Sequence, residues 1–474
     1  MSWIATIGLE THVQLRTESK MFCACGTSFG ADPNTHVCPV CLGYPGAMPV
    51  MNGRAVELTV RSGLMLGCEI GAYSKFDRKS YFYPDMPKNY QISQFDKPLC
   101  LGGGVDITVD GVARRIALTR IHLEEDVGKS MHFKRSSGVD FNRAGVPLME
   151  IVSEPDMHTP DEAAAYLVAL KQILLYADVS DCNLEQGNLR CDVNISVARE
   201  GAKELGTKAE IKNMNTFRGV QHALRYEIER QIEALEAGQP IVQETRRWDP
   251  ETEMTYSMRT KEDAHDYRYF PEPDLMPVEL SQERIAAWRA ALPELPLARR
   301  ERLVAEYGLP AYDADVLAAD KRVGDYFEAV ARTSGNAKAA SNWIMTEMLR
   351  LLGEQEMEIS DVHMTSESLA ELIALVDSGT LNSNSAKEVF AELFAHGGDP
   401  RAIVASRGLT QVSDADAIEC FVQQAIEANP QSIEDFRNGK TQAATFLVGQ
   451  VMRLSKGKAN PQMVGKMIAD ALGA

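Results

Sequence analysis

The sequence predicts an α+β protein: a mixed-sheet domain over residues 1–292, an all-α domain over 293–407 and a small helical tail domain over 408–474. Three observations carry that reading. Stretches of strict apolar/polar alternation recur before residue 290, the mark of half-buried strands. After Pro293-Glu294-Leu295-Pro296 alanine, leucine and glutamate take over at helical spacing. Near Gly408 a helical stretch gives way to Leu409-Thr410-Gln411-Val412, which reads as a boundary.

The first strand organises the rest. In Ile7 to Leu15 one face carries Ile7, Leu9, Thr11, Val13 and Leu15, and the other carries Gly8, Glu10, His12 and Gln14. The polar face offers a carboxylate and an imidazole to a cation, with a glycine that leaves room for a ligand. The plainer alternative is a strand wetting its polar face. Next come Cys23, Cys25, Cys38 and Cys41. Two close thiol pairs can close a tetrahedral Zn2+ site with no open position, so the ion would be structural. His36 is a lesser substitute ligand.

From Lys75 to Pro98, Lys75, Arg78, Lys79 and Lys88 interleave with Phe76, Tyr81, Phe82, Tyr83, Tyr90 and Phe95. Cations with rings suit a nucleotide or an RNA end, and equally a tyrosine-rich strand pair with solvated lysines. Leu118 to Asp126 alternates as a strand, and its phase puts Glu124 on a face with Arg120 and His122. Gly128-Lys129-Ser130 lacks the upstream glycine of a P-loop. Glu150 sits among Leu148, Met149, Ile151 and Val152, where a charge needs a partner; a salt bridge to Arg143 is one candidate. Thr159-Pro160-Asp161-Glu162 is a capping box opening a helix to about Ala177. Asp192 and Glu210 lie on the polar faces of two further strands, and a helix follows from Phe217 to Ala237. Arg246, Arg247, Lys261, Tyr267, Arg268 and Tyr269 suit anion recognition or surface ion pairing. The tail carries Arg437, Lys440, Arg453, Lys456, Lys458 and Lys466, a candidate RNA phosphate contact or a solvated face.

The chain has 474 residues, 45% of them hydrophobic and 24% charged, as in ordinary globular proteins. A net charge of −18 argues against a general nucleic-acid binder but not against a local basic patch. Nine cysteines, few and odd in number, fit a reducing cytoplasm. No long apolar run or signal peptide is read, so no membrane partner is expected. Acids gathered on strand faces need a cation, and oxygen-rich ligands with one histidine favour Mg2+ or Mn2+. Such ions serve phosphoryl transfer.

Several long motifs extend this reading. Ile7 to Leu15, Tyr81-Phe82-Tyr83-Pro84-Asp85, Tyr90 to Phe95, His122 to Asp126, Asn213-Met214-Asn215, Tyr267 to Pro271 and the tail from Gly439-Lys440 to Asn460-Pro461 closely resemble the B subunits of tRNA-dependent amidotransferases. The resemblance implies a cradle domain, a helical domain and a YqeY-like tail that touches tRNA. It implies ATP-dependent phosphorylation of the side-chain carboxylate of Glu-tRNA(Gln) or Asp-tRNA(Asn). Amidation then follows with ammonia tunnelled from a separate amidase subunit, held in a heterotrimer by a small third subunit. Carried over, His12, Glu125 and Glu150 would bind Mg2+ or Mn2+. The family thus favours Glu125 where strand phase favours Glu124. Glu10, Glu124, Asp192, Glu210 and Lys79 would form the catalytic surroundings, and Arg78, Lys79, Tyr81, Lys88 and Tyr90 would contact ATP. Cys23, Cys25, Cys38 and Cys41 match the zinc-bearing members.

Overall fold

The computed structural model describes residues 2–260, 266–410, 415–437, 442–455 and 459–472. The chain divides into two compact units, Met1–Pro296 and Leu297–Ala474.

Among the described residues, ten strands build the main sheet of the first unit. Its central members are β1 (Trp3–Gln14), β2 (Val112–Glu125), β3 (Pro147–Ser153), β4 (Leu189–Arg199) and β5 (Ala209–Met214). They lie in the order β5-β4-β1-β3-β2, all pairs antiparallel. β1 therefore has a neighbour on each side, which leaves its backbone groups satisfied and its register pinned. That register sets His12 opposite Glu150 on β3, and Glu150 opposite His122 on β2. On the other side Glu10 faces Asp192, and Gly8 faces Asn194, which in turn faces Glu210.

One sheet face is apolar. Ile7, Leu9 and Val13 join a core with Tyr166, Leu167 and Leu170 of α1 (Pro160–Tyr176) and Val220 and Leu224 of α2 (Phe217–Glu236). Each fully buried aliphatic side chain contributes about 1.5–3 kcal/mol, so this face commits the sheet and leaves the polar face outward. The helix starts follow their sequence signals. The Thr159 hydroxyl accepts from the Glu162 amide at 3.1 Å, the Glu162 carboxylate accepts from the Thr159 amide at 3.2 Å, and Pro160 opens α1. Thr216 caps α2 through the Gly219 amide.

In a separate three-stranded sheet Tyr90–Ser93 pairs with Asp77–Ser80, which also pairs with Phe270–Pro271. The second unit is helical and holds two apolar cores, one drawn from Leu303 to Val404 and one from Ile418 to Ile468. Cys68, Cys100, Cys182 and Cys191 are buried, whereas Cys420 is exposed on its helix.

Thr159→Ala removes the α1 cap. We expect a loss of about 1 kcal/mol, read as a lower urea midpoint for the first unit.

Candidate functional site: a carboxylate–imidazole centre on one sheet face

The polar face of β1 meets those of its neighbours at His12. Its Nε2 lies 3.4 Å from Glu150 Oε2 and 3.8 Å from Glu124 Oε1. His122 Nε2 approaches the same Glu150 oxygen at 3.4 Å and Glu124 Oε2 at 3.9 Å. Ligand atoms of His12, Glu124 and Glu150 all fall within 4.8 Å of one another. Glu124, Glu150 and His122 are buried. Desolvation opposes charge on both members of the central pair, and the partners prevail. Glu150 is held well below the usual carboxylate range by His122 and His12, and His12 is raised by Glu150 and Glu124. His122 Nδ1 is buried without a hydrogen-bond partner.

A second acidic group adjoins the first. Lys212 Nζ contacts Asp192 and lies 2.9 Å from Glu210, while Thr245 donates to Glu210 at 2.7 Å. Glu10 accepts from Asn194 Nδ2 at 2.9 Å. Burial, then Glu150, Glu210 and Asp192, push the Glu10 carboxyl up. Lys79 completes the surroundings. Burial disfavours its charge, yet Glu124, Tyr269 and Glu150 raise its pKa on balance. Its Nζ sits 5.0 Å over the Tyr267 ring, and Tyr269 stacks on Phe95 at 4.3 Å. The Tyr267–Tyr269 stretch reaches this place because the Tyr267 carbonyl accepts from the Ser80 amide at 2.9 Å and Phe270 pairs with Arg78.

The structure redistributes several expected residues. Glu125, expected beside His12 and Glu150, points from the opposite face of β2, because successive strand residues alternate. Its carboxylate pairs with Lys88 and accepts from the Ile92 amide at 2.9 Å. Strand phase, which favoured Glu124, describes the centre. Arg78 also turns away. It forms a two-bond pair with Glu272 at 2.7 and 2.8 Å, meets Asp274 at 3.2 Å, and lies 4.3 Å over Tyr90. Lys88 and Tyr90 are thus engaged with Glu125 and Arg78, and of the five expected ATP contacts only Lys79 has its charge favoured by Glu124 and Glu150. Tyr81 lies near Lys79, its hydroxyl raised by burial and by Asp85. Arg143 does not pair with Glu150; it donates to the Val127 and Gly128 carbonyls and lies 3.7 Å from Asp126. Sequence reasoning assigned no role to His122 or Lys212. For His122 the signal was present: two positions from Glu124, it must share its face.

The Sγ atoms of Cys23, Cys25, Cys38 and Cys41 lie within 4.8 Å of one another. His36 is not part of that group. The buried Lys20 ammonium is 3.6 Å from Cys41 Sγ and donates to the His36 and Phe141 carbonyls. A hydrogen bond from Cys23 is the first cause that lowers the Cys41 thiol, to about 4, with Lys20 adding to it. Four sulfurs, that of Cys41 the most readily ionised, form a donor set suited to Zn2+.

Residues 5–286 match the GatB/GatE catalytic domain, and residues 325–472 match the GatB domain. The chain belongs to the GatB family. It is 53% identical over 473 residues, the full length of both chains, to the B subunit of the aspartyl/glutamyl-tRNA(Asn/Gln) amidotransferase of Thermoanaerobacter pseudethanolicus. Proteins of the same name from Carboxydothermus hydrogenoformans and Brevibacillus brevis are each 52% identical, over 473 and 470 residues, covering 99% of this chain and 98% of theirs. The carboxylate–imidazole centre and the four cysteines lie within the span matched to the GatB/GatE catalytic domain. Of the basic residues noted in the sequence, Lys261, Lys440, Lys456 and Lys458 lie outside the described residues, as does the side chain of Arg437. Among the described residues, no helix is long and apolar enough to cross a membrane.

Beside the centre Asp126 is buried and accepts from Gln14 and Arg190, each at 2.8 Å. Burial works against its charge, but Arg190 and then Arg143 outweigh it and hold the carboxyl below its ordinary 3.8. A depressed folded-state pKa contributes stability that is present above 3.8 and lost as pH falls through the folded value. Asp126→Asn is therefore expected to lower stability at neutral pH and to flatten its loss on acidification below about pH 4. Urea midpoints measured across pH check both.

Proposed function

We propose that this chain is the B subunit of a tRNA-dependent amidotransferase that phosphorylates the side-chain carboxylate of Glu-tRNA(Gln) or Asp-tRNA(Asn) with ATP and then amidates it. The observation that supports this best is the meeting of His12, Glu124 and Glu150 with Lys79 held nearby. Family membership and full-length relatives named as B subunits support two partners, an amidase subunit with a small third subunit. The amidase supplies ammonia from glutamine through a tunnel. Nine free thiols suit a reducing cytoplasm.

The residues fit a divalent ion: two buried carboxylates and an imidazole converge within 4.8 Å, with a second imidazole against Glu150. His12, Glu124 and Glu150 would hold Mg2+ or Mn2+, which supplies charge neutralisation for the transferred phosphoryl group. The nitrogen content moves the preference toward Mn2+ relative to an all-oxygen site. The remaining work belongs to side chains. Lys79 binds anionic oxygens of the donor and orients them. A substrate carboxylate oxygen attacks the γ-phosphorus, the bond to the bridging oxygen breaks, and ADP leaves. The nitrogen of ammonia then attacks the acyl-phosphate carbon, the carbon–oxygen bond breaks, and inorganic phosphate leaves. Glu10, made a stronger base by its burial and by the neighbouring Glu150, takes the proton released from nitrogen as a carboxylate. Lys212 keeps Asp192 and Glu210 paired.

Glu124→Gln and Glu150→Gln should each abolish ATP-dependent amidation in the reconstituted complex while aminoacyl-tRNA binding persists. Glu125→Gln should retain ATP-dependent phosphorylation, since its carboxylate faces Lys88. Product formation by both of the first two variants would remove the proposed centre. We further propose that Cys23, Cys25, Cys38 and Cys41 hold a structural Zn2+. Cys38→Ser should strip zinc, read by elemental analysis, and lower thermal stability.

A further inference from the structure

The centre holds two imidazoles, and their settings differ. Register lines up His12, Glu150 and His122 across β1, β3 and β2. Both Nε2 atoms lie 3.4 Å from the same oxygen, Glu150 Oε2. The His12 side chain keeps 21% of its exposure, against 5% for His122. The ligand atoms that converge within 4.8 Å are those of His12, Glu124 and Glu150, and His122 is not part of that group. One histidine therefore stands on the accessible side of the carboxylate pair and the other on its buried side.

The surroundings of His122 fix where its proton sits. An imidazole carries at least one, on Nδ1 or on Nε2. Nδ1 is buried with no hydrogen-bond partner, and a buried N–H without an acceptor costs the full desolvation of that group. Nε2 faces Glu150 at 3.4 Å and Glu124 at 3.9 Å, so the proton belongs there. With Nε2 protonated and Nδ1 walled in, His122 has no lone pair to offer an ion at the centre. It donates instead to Glu150 Oε2. A carboxylate oxygen has two lone pairs, so accepting from His122 leaves one for a cation. Glu124 follows the same plan. Its Oε2 accepts from the buried Ser93 Oγ at 3.4 Å, while Oε1 lies 3.8 Å from His12. Each carboxylate is thus held by a donor on its buried side and meets His12 on the other.

We infer that His122 is a positioning residue, whose Nε2–H orients the Glu150 carboxylate as a ligand while His12 alone supplies a nitrogen to the ion; this deepens, and rests on, the reading of His12, Glu124 and Glu150 as the divalent-ion ligands. Hydrogen bonds to a ligating carboxylate fix its orientation, and removing one weakens metal binding without touching the ligand set. Two histidines equidistant from one oxygen thereby take unlike tasks, divided by burial.

The test uses the reconstituted heterotrimer without nucleotide, and Mn2+ is the probe. His122→Phe keeps a ring and removes the donor. It should raise the Mn2+ Kd by about 10–100-fold while the glutaminase rate stays at its wild-type value. His122→Gln puts an amide N–H within reach of the Nε2 position and should restore most of that affinity, which a role in packing alone would not do. Electron spin-echo spectra of Mn2+ on the unmutated complex should show one coordinated imidazole nitrogen, a readout independent of how the variants fold. A wild-type Mn2+ Kd in His122→Phe, or equal weakening by His122→Phe and His122→Gln, overturns the inference alone. Two coordinated imidazoles make His122 a ligand and overturn it likewise. An unmutated complex that binds no Mn2+ through an imidazole overturns both this inference and the reading beneath it.

Discussion

Two carboxylates taken out of water on one sheet face dominate this molecule. Glu124 and Glu150 are buried and share their surroundings with His12 and His122. Two such charges about 4 Å apart repel by roughly 4 kcal/mol at an effective dielectric near 20, and burial adds a penalty for each. Imidazoles and the Lys79 ammonium answer part of that charge. The residual demand for positive charge is what makes the centre able to hold a cation. A sheet with water over both faces could not create it.

The rest of the first unit serves that demand. The apolar face of β1 anchors the strand against α1 and α2, so the polar face cannot rotate away from its neighbours. The second acidic group is neutralised differently, by Lys212 between Asp192 and Glu210. This leaves the Glu10 carboxyl pushed up by burial and then by Glu150, Glu210 and Asp192. On the far side of β2, Glu125 and Lys88 satisfy each other, and the buried Lys20 ammonium sits against the cysteine group. Alternation along one strand thus assigns adjacent glutamates to unrelated tasks.

How much of this was legible in the sequence depends on the range of the interaction involved. Period-two alternation marked β1, β4 and β5 and sorted their faces; the capping box marked the start of α1 within a residue. Phase within β2 placed Glu124 with His122, and it described the centre where the choice carried over by resemblance, Glu125, did not. Arg78 was misplaced because its partners, Glu272 and Asp274, stand nearly two hundred positions away and reach it only through the short Phe270–Pro271 strand.

The sequence by itself determined which residues share a face, where the helices begin, and that four thiols stand close enough to group, because these follow from local geometry and spacing. Only the tertiary structure decided which faces meet. The antiparallel register of β3 and β2 beside β1 brings Glu150 and His122 to His12, and the path of Asp77–Ser80 turns Lys79 toward the centre and Arg78 away from it. Register is set by pairing between distant segments and by the core beneath them, and no single strand contains that information.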